Sequence, residues 1–105
     1  MKCATVGWTL LFPYNDPMKI TYDPQKDSIN QQKHGISLAD AVLLEWDTLW
    51  TFPDERFDYL ECRMVGYAYI GLRLHCFVYT DRHDERRIIS LRKANKRELK
   101  LYAQA

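Results

Sequence analysis

Three β-prone runs crowd the second half of the chain: CRMVGYAYIG from Cys62, RLHCFVYTD from Arg73 and RRIISLR from Arg86. Gly71-Leu72 and the polar DRHDE around His83 are all that separates them. Links this short cannot carry a crossover, so the runs must turn back on one another as antiparallel hairpins. In a chain of 105 residues, about one domain's worth, the rest has to pack around that meander.

Upstream, KITY at Lys19 is a short β-prone run. Asp23-Pro24 then opens a helix, since Asp caps free N–H groups and Pro at the first helical position has none to waste. The helix should reach Lys33 or His34, where Gly35 suits the left-handed residue that ends it. Ser37 can cap a second helix, SLADAVLLEW, in which Leu38, Ala41, Val42 and Glu45 follow a helical period. TLWTF resumes strand and Pro53-Asp54 breaks it. KANKRELKLYAQA is rich in helix formers. The expected class is α+β: an antiparallel sheet of about four strands with two N-terminal helices and a C-terminal helix, the helices on one side.

The domain is expected over 18–105, because MKITYDP at Met18 reads like a start. Residues 1–17 form a leader, apolar from Cys3 to Phe12 apart from two threonines and a glycine. One lysine before it and no small-x-small site after it weigh against a signal peptide, which a secreted assembly would need. An upstream start, a poorly docked arm and an extra edge strand are the readings kept, in that order. No run of about 18 apolar residues suggests a membrane helix. Cys3, Cys62 and Cys76 have no C-x-x-C spacing, so reduced thiols in a cytoplasmic protein are expected. His34, His75 and His83 lack ligand spacing, so no metal and no other cofactor is expected.

Charge is uneven. Residues 82–100 hold eight Lys/Arg against three Asp/Glu, a net of +5, while the remainder holds seven against eleven, a net of −4. A nearly neutral chain therefore hides a basic segment suited to a polyanion. Period two puts Arg86, Ile88, Ser90 and Arg92 on one strand face and Arg87, Ile89 and Leu91 on the other. The second is the better core face, which leaves two guanidiniums and a hydroxyl exposed, with Lys93 just beyond. Arg donates paired hydrogen bonds to phosphate. The competing reading pairs these arginines with Asp54, Asp58 and Glu61.

The order of motifs then carries a resemblance. YDPQK with the later KHGIS lies between Tyr22 and Ser37, DERFDYLECR spans Asp54 to Arg63, VYTDR spans Val78 to Arg82, and RIISLRKANKRE spans Arg87 to Glu98. Over about residues 19–102 the chain resembles the BrnT family, the toxins of BrnT/BrnA toxin–antitoxin systems. The resemblance implies a RelE-like fold and a ribonuclease that inhibits translation. It also implies a small BrnA-like antitoxin with a ribbon-helix-helix part, which neutralises the toxin and alone contacts operator DNA. Two departures stand out: Leu60 where the family commonly has glycine, and the leader.

A metal-free ribonuclease needs a base for the 2′-hydroxyl proton, cations for the crowded phosphate and an acid for the leaving 5′-oxygen. Glu61 is the candidate base, two residues from Arg63 and so on its strand face. Arg56, Arg63 and Arg92 are candidate phosphate stabilisers. Lys33, His34, Arg82, Arg86, Lys93 and Tyr102 are candidate RNA contacts, and Tyr59, Tyr79 or Tyr102 can stack on a base. Each has a plainer role: Glu61 in a surface salt bridge, His34 bonded to a helix-end carbonyl, and Trp8, Trp46 and Trp50 in the core or an interface. Arg92 is expected at an exposed strand end, contributing little to stability. Ser90 lacks the partners of a hydrolase triad. The alternative function is a non-catalytic RNA- or protein-binding module of the same fold.

Overall fold

The structure is a computed structural model that describes residues 19–56 and 60–105. The leader reading and the candidate Tyr59 fall outside these residues. The elements are β1 (Lys19–Tyr22), α1 (Pro24–His34), a 3₁₀ helix (Leu38–Leu43), β2 (Glu45–Pro53), β3 (Met64–Ile70), β4 (Arg73–Arg82), β5 (Glu85–Lys93) and α2 (Lys96–Gln104).

The sheet runs in the order β1-β5-β4-β3-β2. Strands β2 to β5 form the expected antiparallel meander. The sheet nevertheless has five strands and is mixed, because β1 pairs in parallel with the start of β5. β1 leads into α1 rather than into a hairpin, so no short link dictates its direction. Central β4 is flanked on both sides, and Leu74 to Phe77 are all buried, as a strand covered on both faces requires.

Local chemistry sets the first corner. The Asp23 carboxylate accepts the Gln25 N–H at 2.9 Å, and Gly35, at φ 70°, donates its N–H to the Gln31 carbonyl. Asp27 Oδ1 then accepts from the Ser37 hydroxyl at 3.0 Å and from the Leu38 N–H at 2.8 Å. Ser37 does cap the next helix, accepting the Ala39 N–H. That second helix is shorter than expected, however, a 3₁₀ stretch that ends at Leu43. Leu44 is extended, and Glu45-Trp46 already belong to β2. Trp46 packs edge-on against Phe77 at 5.4 Å, so tertiary burial overrides helical spacing there.

The sheet has two occupied faces. On one, Leu38, Ala41, Leu44, Ala68, Phe77, Tyr79, Ile88 and Leu91 form a core beneath the 3₁₀ helix and α1. Buried Asn30 of α1 ties this layer down, donating to the Leu91 and Ile36 carbonyls and accepting the Leu91 N–H. On the other, Val65, Tyr67, Leu74, Cys76 and Ala94 pack with Trp50, Tyr69, Val78 and Tyr102 of α2. Helices therefore sit on both faces, which corrects the one-sided arrangement. Gly66 lets β3 lie flat on the Phe77 ring; a Cβ there would come within 2.7 Å of it.

One irregularity governs the charges. β4 and β5 pair Thr80 with Arg87 and Tyr79 with Ile88, but Val78 with Ser90, so Ile89 is an extra residue on β5. Such a bulge reverses which residues face where beyond it. Ile88 and Leu91 consequently share one core, and the simple alternation expected for β5 does not hold.

Candidate nucleic-acid interface

On the face shared with α2, cross-strand register sorts the side chains into rungs. Trp50, Tyr67, Cys76 and Arg92 make one rung, and Phe52, Val65, Val78 and Ser90 the next. The Asp54 N–H donates to the Arg63 carbonyl at 2.7 Å, which extends the ladder by one residue. Arg63 thereby falls in line with the paired Thr80 and Arg87, and Arg87 is also opposite Thr21 of β1. α2 covers the first rung through Tyr102 and Glu98, and the polar rung lies at the far end of the sheet. Two residues separate successive rungs, about 7 Å along a strand.

At that far end Glu61 sits between two arginines. Arg82 Nη2 donates to its Oε2 at 2.5 Å, and Arg63 Nε lies 3.6 Å from Oε1. The Arg82 hydrogen bond holds the Glu61 carboxyl below its ordinary range, against some desolvation. Leu60, Glu61, Arg63 and Arg82 line an open depression. Leu60 is almost fully exposed. Among the described residues His83 is the only non-glycine that the backbone places at positive φ. Arg56 is bound to the buried Asp54 carboxylate by two hydrogen bonds of 2.9 Å.

Arg92 is on the same face but elsewhere. It gives Glu98 two hydrogen bonds, at 2.8 and 2.7 Å. The nearly buried Glu98 carboxylate also accepts from the Tyr67 hydroxyl at 3.0 Å and from the Asn95 N–H at 2.9 Å. With the Glu98 N–H returning to Asn95 Oδ1 at 2.8 Å, this is a capping box at the start of α2. The Arg92 hydrogen bonds bring the Glu98 carboxyl down to about 2. Arg92 and Arg63 are two strands and two rungs apart, roughly 16 Å between Cα atoms. The expected group of Glu61, Arg63 and Arg92 is thus divided between two places, and Arg92 is built into the fold rather than lying loose at a strand end.

The remaining candidates separate similarly. Arg86 points to the opposite face, where it grips Asp81 with two hydrogen bonds of 2.8 and 2.9 Å. Its guanidinium stacks on Tyr79 at 4.4 Å and Trp46 at 5.0 Å, an internal brace turned away from the Glu61 end. Lys33 and His34 are exposed at the end of α1 and Lys93 at the end of β5 beside His75, on the α1 side of the sheet. Tyr102 donates to the Thr48 carbonyl and meets Trp50 and Tyr69 edge-on, so its ring is used in packing. Tyr79 is buried.

Sequence reasoning missed three residues. Arg87, assigned to the core face, is on the polar rung, and among the described residues it makes no side-chain ion pair. Glu98 was foreshadowed by the Asn-x-x-Glu spacing of a capping box. Phe52 projects from the aromatic cluster, and no motif announces it. Among the described residues no three His, Cys, Asp or Glu side chains converge as a metal site requires, and no helix is long and apolar enough to cross a membrane. Cys76 is a buried free thiol; Cys62 is disulfide-bonded, which corrects the expectation of reduced thiols at that position.

Comparison with known proteins adds to this geometry. A family model described as "Ribonuclease toxin, BrnT, of type II toxin-antitoxin system" matches residues 22–98. No curated protein sequence matches the chain. Among solved structures, the 1.1 Å crystal structure of the Brucella abortus ribonuclease toxin BrnT is similar, with a TM-score of 0.61 at 24% identity. The likeness covers 75% of this chain and 99% of that one and concerns the fold.

Proposed function

The chain belongs to the BrnT family of ribonuclease toxins from type II toxin–antitoxin systems, and from that premise we propose that it is a metal-independent endoribonuclease acting at the Glu61 end of the sheet. The observation that carries the reading is the placement of one carboxylate between Arg63 and Arg82, in an open depression. A carboxylate held ionised can accept the 2′-hydroxyl proton, and the flanking guanidiniums can take the charge that builds on the phosphate. An arriving phosphate competes for the hydrogen bonds that Arg82 now gives Glu61. As those bonds transfer, Glu61 becomes a stronger base.

Arg87 extends the cationic strip across β5. Arg92, two rungs away and held by the Glu98 carboxylate, is left out of the phosphate path and supports the sheet that carries it. Arg56, tied to the Asp54 carboxylate, is a further cation that the reading assigns to phosphate. In this reading mRNA is the target, translation stops, and the work is done in the cytoplasm. A ribbon-helix-helix antitoxin covers the toxin, and operator DNA is touched only through it.

The test is single-turnover cleavage of one defined RNA by the wild type and by Glu61→Gln, with and without EDTA. Wild-type cleavage should persist in chelator and leave a cyclic phosphate and a 5′-hydroxyl. Glu61→Gln should be slower by roughly 10²- to 10⁴-fold while RNA binding survives. Loss of activity in EDTA refutes the metal-free route. A wild type that binds RNA without cutting it leaves the non-catalytic module, a role the Glu61–Arg82 ion pair would also suit.

A further inference from the structure

The tyrosines that sequence suggested for base stacking are engaged in packing where they are described. Tyr79 is buried on the α1 side, and Tyr102 is tied to Thr48. The α2-side face nevertheless presents an aromatic surface. Trp50 stacks on Tyr67 at 5.4 Å and meets Tyr102 edge-on, beneath α2. Phe52 continues this cluster outward, 5.3 Å from Trp50 and 6.2 Å from Tyr67. It is 37% exposed, and its rung continues as Val65, Val78 and Ser90. Those side chains are short, so no tall neighbour on the rung walls off the ring.

The rungs on either side of Phe52 identify the occupant. One rung further, about 7 Å along the strand, come Arg63 and Arg87, with Arg82 beyond. A nucleotide has a flat apolar base at one end and an anion at the other, separated by a sugar. An exposed phenyl ring one rung from a row of guanidiniums matches that division.

We propose that Phe52, backed by Trp50 and Tyr67, is a stacking subsite for one nucleobase of single-stranded RNA, whose phosphate lies toward Arg63 and Arg82. The proposal rests on the reading of the chain as a ribonuclease and adds where its substrate is held. Stacking on a phenyl ring accepts every base, so this subsite provides affinity and register while leaving sequence preference to other contacts.

The experiment uses the whole chain and an RNA that the wild type cleaves, prepared with every 2′-hydroxyl methylated so that it binds without being cut. Phe52→Leu should weaken binding roughly 5- to 100-fold, the range set by loss of one base–aromatic stack. Phe52→Tyr and Phe52→Trp, which keep a ring, should bind within a few-fold of wild type. Removing the base at one position of the RNA should weaken wild-type binding by the same factor and weaken Phe52→Leu no further. Unchanged affinity in a folded Phe52→Leu overturns the subsite. So does a variant that binds RNA normally but escapes the antitoxin, because Phe52 would then serve the protein partner. If Phe52→Leu does not fold, the ring-keeping variants and the wild type carry the test: affinity that no single base removal from the RNA lowers overturns the subsite. A wild type that neither binds nor cuts RNA refutes the ribonuclease reading itself, a result distinguishable from an active wild type with an unaffected Phe52→Leu.

Discussion

Glu98→Gln isolates the charge network that joins β5 to α2. In the folded chain Glu98 is surrounded by donors: both Arg92 Nη atoms, the Tyr67 hydroxyl and the Asn95 N–H. Its carboxyl falls from an ordinary 4.5 to about 2, chiefly through the Arg92 hydrogen bonds. At about 1.4 kcal/mol per pH unit this corresponds to roughly 3 kcal/mol in favour of the ionised native state. Arg92 is about a third exposed, so solvent screening should reduce the measurable part to about 2 kcal/mol. The native carboxyl is the stronger acid. As pH drops from about 4.5 toward 2, the unfolded chain takes up the proton first, and stability is lost across that window. Above it the contribution is complete. Gln retains the size and one acceptor but turns an amide N–H₂ toward a guanidinium. Urea unfolding of wild type and Glu98→Gln from pH 7 to pH 2 should show a gap of about 2 kcal/mol at pH 7 that closes by about pH 2. A gap that does not change with pH would mean that packing, not charge, is lost. No gap at pH 7 would refute the argument altogether.

Gly66→Ala should destabilise by about 1–3 kcal/mol, read as a lower melting temperature, because the added methyl meets the Phe77 ring at 2.7–2.8 Å and Leu49 at 3.1 Å. Asp81→Ala should cost roughly 2–4 kcal/mol in urea unfolding, since it leaves the Arg86 guanidinium largely desolvated against Trp46 and Tyr79 without its counter-ion. The RNA affinity of the folded Asp81→Ala fraction should be unchanged, and a weakened affinity would return Arg86 to the RNA surface. Arg87→Ala should leave stability within about 0.5 kcal/mol and lower the slope of log affinity against log salt by about one; an unaltered slope removes Arg87 from the phosphate path.

The parts of this fold visible in sequence are those whose physics is local. Asp23-Pro24, Gly35 and Ser37 punctuate the chain through backbone groups within a few residues, and each does so where expected. The two hairpin links dictate the meander because they are too short for anything else. The parallel pairing of β1 with β5 unites residues more than sixty positions apart, and no local signal selects that edge. The C-terminal helix was visible, but the face it covers depends on where Tyr102 and Glu98 find Trp50, Tyr67 and Arg92. Its capping box was written in Asn95 and Glu98, and the same carboxylate also captures Arg92. A residue that reads as an exposed cation is therefore half of a structural pair.

The basic segment shows how little separates a correct charge count from a misplaced surface. Residues 86 and 87 are adjacent arginines, so their sum is the same whichever way each points. Their directions depend on strand phase, and strict alternation from Leu91 back through Ile89 places Arg87 inward. The run Ile88-Ile89 leaves the phase in conflict, since a sheet covered on both faces can bury either residue. The bulge resolves the conflict: Ile88 joins Leu91 in the core, and Ile89 absorbs the extra step. Arg86 then falls over Tyr79 and Trp46, where it can persist only because Asp81 is beside it. Arg87 falls beside Thr80 on the face that carries Glu61 and Phe52. One inserted residue thus makes one arginine a structural brace and leaves the other, among the described residues, without an ion pair, and the placement of the cations follows from that phase rather than from the number of charges.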